Sequence, residues 1–133
     1  MLGIKKKLIK SMIKLESVGN TPGKLQIYVA QIKKVEEEYK QYEYYAERAL
    51  MLLNGVENLS VDYQKGVATI QYDSQVVSVQ KVYKWVQMMI DIGIDYYDEL
   101  KPMWEQEGEE AQKVEEIWQR IKPVIIAQLS KLR

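Results

Sequence analysis

From Leu25 onward apolar residues occupy alternate positions: Leu25, Ile27 and Val29 are separated by Gln26 and Tyr28, the pattern of a half-buried strand. The period then changes. Between about residues 31 and 53, Val35, Tyr39, Tyr42, Ala46, Ala49 and Leu53 recur at steps of three and four, which predicts a helix. Glu36, Glu37, Glu38, Lys40, Glu43 and Glu47 supply much of its wet face, and Asn54-Gly55 supplies its stop. Alternation returns in Leu59, Val61 and Tyr63 and again in Ala68, Ile70 and Tyr72, two strands joined through Gln64-Lys65-Gly66. Ser78 is placed to cap a second helix, with Val79, Val82, Trp85, Val86, Met89 and Ile90 on its apolar side and an end expected near Gly93.

On either side of this block the pattern is helical. Over residues 3–17, Ile4, Leu8, Met12 and Leu15 form one stripe with Ile9 and Ile13 beside it, while Lys6, Lys7, Lys10 and Lys14 gather opposite. Gly19 to Gly23, a stretch with two glycines and Pro22, is expected to break that helix. After Gly93, residues 94–97 fit a short fourth strand or a helix capped by Asp95 and running to about Gln106; the lack of alternation favours the helix. Gly108 ends it. A last helix is expected over 109–131, with Ala111, Val114, Trp118, Ile121, Ile125 and Leu132 in register and Pro123 bending it.

Composition changes this picture mainly by what it lacks. The 133 residues include no Cys and no His, which removes disulfides, thiolate and imidazole metal ligands, and the usual nucleophile and general base. No nucleophile–base pair can be assembled, so no catalytic residue, cofactor site or metal site is expected. No apolar run approaches the roughly 20 residues of a spanning helix, and residues 1–20 lack a signal-peptide pattern, so a cytoplasmic location is the default expectation.

Charge is balanced but segregated. Residues 1–34 hold eight Lys and one Glu, a net +7, so the remainder carries −7. A basic amphipathic head suits an anionic membrane surface, a protein partner or the acidic helices of the same chain. The candidate membrane- or partner-binding residues are therefore Ile4, Lys6, Lys7, Leu8, Lys10, Met12, Lys14 and Leu15. A short amphipathic helix can also serve as an address peptide for a protein compartment.

The order β-α-β-β-α with a hairpin between its last two strands is most of a ferredoxin-like sandwich. The segments PGKLQIYV, LLNGVENLSVDYQKGVATIQYD and SVQKV resemble the heavy-metal-associated (HMA) domain over roughly residues 21–93. The closest likeness is the cysteine-free second type, found ahead of some metal-transporting P-type ATPases and as small stand-alone bacterial proteins. The matching positions are Pro22-Gly23, Gly55-Val56, Gly66 and Tyr72-Asp73. Metal-carrying members place a Cys-x-x-Cys pair after the first strand, where this chain has Val29, Ala30, Gln31, Ile32 and Lys33. The resemblance thus implies the fold but not metal carriage, since Cu(I), and Zn(II) in such a site, needs thiolates.

Two further chemistries are weighed on residue type. Tyr39, Tyr42, Tyr44 and Tyr45 beside Glu36, Glu38 and Glu43 offer hard oxygen ligands for a cation or small ligand. With ten Tyr and no Phe, the simpler reading is that Tyr serves as the core aromatic. A nucleic-acid platform would need basic and aromatic residues on the open sheet face, but that face would carry Gln26, Tyr28, Asn58, Ser60, Asp62, Thr69 and Gln71; no nucleic-acid partner is expected. Such a polar face would also bury poorly under the C-terminal helices, which should extend the helical side or meet another chain.

The expected organisation is α+β: a basic amphipathic helix and linker over 1–20, a ferredoxin-like HMA-type core over 21–95, and a helical extension over 96–133. The expected function is a non-enzymatic interaction or adaptor module serving a membrane surface or a metal-transport or storage assembly. The alternatives are a Glu/Tyr sensor of a hard metal or small ligand, and an accessory protein inside a compartment. Self-association is expected through Val114, Trp118, Ile121 and Ile125 and through an uncovered sheet edge. Trp85, Trp104 and Trp118 are expected as core or interface anchors.

Overall fold

A computed structural model describes residues 15–34 and 42–132. The elements are β1 (Glu16–Thr21), β2 (Lys24–Tyr28), a 3-10 turn (Ala30–Lys34), α1 (Tyr42–Leu50), β3 (Val56–Asp62), β4 (Val67–Tyr72), α2 (Val79–Glu105) and α3 (Glu110–Leu132). The fold is α+β, with four antiparallel strands in the order β1-β2-β4-β3.

Alternation in the strands becomes one dry face. Leu25 pairs with Ile70, and Ile70 with Leu59, so one row of the sheet carries three buried aliphatic side chains. The next row inward brings Ile27 against Ala68 and Val61. Val82, Trp85 and Ile92 of α2, and Trp118, Ile121, Ile125 and Leu129 of α3, join this sheet face in one core. Trp85 is fully buried and donates its indole N–H to the carbonyl of Ala49 at 3.2 Å, so the largest core side chain leaves no unsatisfied donor.

The turns follow their residues. Gly66 ends the β3–β4 connection at φ +71°, and its amide donates to the Asp62 carbonyl at 2.9 Å. After α1 the chain tightens: the amides of Leu52 and Leu53 reach the carbonyls of Ala49 and Leu50, three residues back. Gly55 then takes φ +104°, and a Cβ there would stand 2.7 Å from Val77 Cγ1. The Ser78 hydroxyl accepts from the Lys81 amide and caps α2, as its position predicts.

Three expectations need correction. The helix expected over residues 3–17 does not include Glu16 and Ser17, which belong to β1; residues 1–14 lie outside the described residues. Glu16 pairs with Tyr28 and Thr21 with Lys24 across a tight Pro22-Gly23 turn, so the segment read as a linker is an edge strand. The fourth strand thus precedes the block instead of following it. The second helix does not stop near Gly93 but runs unbroken to Glu105. A glycine costs a helix only about 1 kcal/mol relative to Ala, and packing of Ile92, Tyr96 and Leu100 on either side outweighs it. Residues 94–97 are accordingly helical, without a separate cap at Asp95. α3 likewise runs continuously through Pro123.

The C-terminal helices extend the helical side. The opposite sheet face stays polar, with Lys24, Asn58, Ser60 and Gln71 exposed.

Candidate functional site

The segment after β2 is a closed turn. The Val29 amide donates to the Gly66 carbonyl at 2.8 Å, tying it to the β3–β4 hairpin, and the Ile32 amide returns to the Val29 carbonyl at 3.0 Å. Lys33 folds back so that its ammonium lies 5.2 Å from the centre of the Tyr28 ring, a cation–π distance. Side chains in this turn are aliphatic, amide or ammonium; a Lys ammonium has no lone pair to give a metal. Among the described residues no group of three or more Asp, Glu, His or Cys side chains is arranged to hold a metal ion.

The opposite end of the sheet exposes two apolar side chains on loops that meet there. Met51 follows α1 and is 47% exposed; Val76 precedes α2 and is 50% exposed. The two loops are pinned together, since the Asp73 amide donates to the Gly55 carbonyl at 2.7 Å. The Asp73 carboxylate accepts from the Gln75 amide and its carbonyl from the Val76 amide, which holds Val76 outward. Such a pair on rigid loops can be covered by a partner without reorganising the core.

The Tyr/Glu helix is committed to contacts inside the fold. The Glu43 carboxylate accepts from the Tyr63 hydroxyl at 2.7 Å. Tyr45 sets its ring edge-on to Trp104 at 6.4 Å and directs its hydroxyl at the Val114 carbonyl, 3.5 Å away. Arg48 lies 4.4 Å from the centre of the Trp118 ring and 5.4 Å from that of Tyr44, donates to the Tyr44 hydroxyl and pairs with Glu115 at 3.2 Å. This cluster locks α1 to α2 and α3. Glu36, Glu38 and Tyr39 lie outside the described residues.

The residues expected at an intersubunit face are placed differently. Trp118, Ile121 and Ile125 are buried in the domain's own core, and Val114 is half-buried beside Tyr45. Their three-and-four spacing marks an apolar face correctly, but α1 and α2 of the same chain already cover it. Of the N-terminal candidates only Leu15 falls among the described residues: it is half-buried, and its carbonyl accepts from the Tyr83 hydroxyl at 2.8 Å. Ile4, Lys6, Lys7, Leu8, Lys10, Met12 and Lys14 lie outside them. Met51 and Val76 were not legible as a pair, because nothing in the sequence says that these two loops share an end.

No helix among the described residues is long and apolar enough to cross a membrane. No family model, no curated protein and no solved structure matches this chain.

Proposed function

We propose that this chain is a non-enzymatic interaction module, built on a ferredoxin-like, HMA-type core that has given up its metal loop. The carrying observation is the turn after β2: Val29, Ala30, Gln31, Ile32 and Lys33 are closed onto Gly66 and Tyr28 at the position where a metallochaperone holds its cargo. Chain order supports the core assignment. β2, α1, β3, β4 and α2 follow one another as in the βαββα part of that fold, with β4 between β2 and β3 and with β1 in the edge position beside β2.

What remains for such a module is surface. The exposed Met51 and Val76, on loops fixed by Gly55 and Asp73, offer an apolar contact for a protein partner. A cytoplasmic location and service to a membrane surface or a metal-transport or storage assembly belong to the same proposal.

Two measurements test it. Calorimetric titration with Cu(I) and with Zn(II) is expected to show no stoichiometric site of submicromolar affinity; finding one would overturn the loss of the metal loop. Affinity capture from extract of the native host, with a Met51→Asp/Val76→Asp double variant alongside, is expected to return a partner that the variant loses. Equal recovery by both proteins would move the interface elsewhere.

A further inference from the structure

The helix α2 carries two apolar stripes, and only one faces the core. Val82, Trp85, Met89, Ile92, Tyr96 and Leu100 lie on the first, which packs into the core. At 100° per residue, Tyr83, Val86, Ile90, Ile94 and Tyr97 form a second, roughly 120° around the helix from the first. Its Tyr83 end meets the core cluster, but Ile90, Ile94 and Tyr97 stand outside it. Ile90 and Ile94 are half-buried and Tyr97 is 40% exposed. Asp91, which is exposed, borders this stripe on its outer side next to Ile94.

We infer that the second stripe is the docking site for residues 1–14 of the same chain. The described chain begins beside it: the Leu15 carbonyl accepts from the Tyr83 hydroxyl at 2.8 Å, at the stripe's first residue. Residues 1–14 as a helix reach about 21 Å, the distance along α2 from Tyr83 to Tyr97. Running away from Leu15 in that direction sets the segment antiparallel to α2, with Leu8 beside Ile90 and Ile4 beside Ile94. The apolar stripe of Ile4, Leu8 and Met12 meets an apolar stripe of equal length. Lys5 and Lys7 flank the stripe of Ile4, Leu8 and Met12 on the wheel, and a lysine stem can lie along apolar surface while its ammonium turns toward Asp91 at the rim. Residues 1–14 hold five Lys and no acid, so the segment carries +5 and the rest of the chain −5. The inference stands independently of whether the metal loop is lost.

The chain has no cysteine, so introduced pairs report without background. In the full chain, Leu8→Cys/Ile90→Cys is expected to form an intramolecular disulfide under mild oxidation. Leu8→Cys/Ser60→Cys, whose second site is on the open sheet face, is expected to remain reduced. A second measurement guards against distortion by the cysteines: an Ile90→Ser/Ile94→Ser variant should be cut by trypsin between residues 5 and 14 about tenfold faster than the parent, with the core still folding cooperatively. Equal crosslinking of both pairs, crosslinking only between chains, or unchanged cleavage in the serine variant would each overturn the assignment.

Discussion

The indole N–H of Trp85 points at the carbonyl of Ala49, 3.2 Å away and out of water. Ala49 lies in the last turn of α1, and its carbonyl also accepts from the Leu52 amide at 3.2 Å, so the indole is satisfied by the second lone pair of a carbonyl that already has one partner. Trp85→Phe keeps most of the ring volume but removes one of that carbonyl's two hydrogen bonds, and should cost about 0.5–1.5 kcal/mol. Trp85→Ala adds a cavity, for a total of about 3–5 kcal/mol. Urea unfolding midpoints check both; a Phe variant as stable as the parent would show that the bond contributes nothing net.

Arg48 is held more by rings than by charge. Its partner Glu115 is more than half exposed, so Glu115→Gln should change stability by less than about 1 kcal/mol. Arg48→Ala loses the stacking on Trp118 and Tyr44 as well, and should cost about 1–2 kcal/mol. Arg48→Lys should recover little of it, because an ammonium cannot lie flat on a ring while donating to Tyr44. A thermal-melt series on the three variants decides the order.

Two glycines should respond in opposite directions to the same methyl group. Among the described residues nothing stands within 4 Å of a Cβ added at Gly93, in mid-helix, so Gly93→Ala should stabilise by about 0.5–1 kcal/mol. At Gly55 the backbone is left-handed and Val77 and Val76 crowd the site, so Gly55→Ala should destabilise by about 1–3 kcal/mol. Melting temperatures moving the same way in both would contradict the long α2 or the turn.

An apolar stripe cannot face lipid and α2 at once. Vesicles of phosphatidylcholine with phosphatidylserine should bind the Ile90→Ser/Ile94→Ser variant more strongly than the parent, and added salt should weaken both. Neutral vesicles should bind neither. Identical binding of the two proteins to anionic vesicles would mean that docking and membrane contact do not compete. Any truncation used alongside must stop at residue 14, because Glu16 already pairs with Tyr28.

Much of the sheet was legible because its signal is local. Leu25, Ile27 and Ile70 alternate with polar neighbours, and a strand half in water requires that alternation whatever lies above it. Gly66 and Ser78 were legible for the same reason, since a left-handed turn residue and a helix cap act within three or four residues. β1 was not. Glu16–Thr21 carries one large apolar residue, Val18, which is 55% exposed beside a register shift, so its strand state comes only from pairing with β2.

The sequence by itself determined the two periodicities, the punctuation between them and the absence of thiol and imidazole chemistry. Tertiary structure alone decided what each apolar face meets. It carried α2 past Gly93, because packing at Ile92, Tyr96 and Leu100 exceeds the small cost of one glycine. It turned Trp118, Ile121 and Ile125 inward, and it brought Met51 and Val76 to one end of the sheet. Helical spacing states that a stripe must be covered; whether a strand, a sister helix or another molecule covers it depends on residues distant in the chain, which local pattern does not encode.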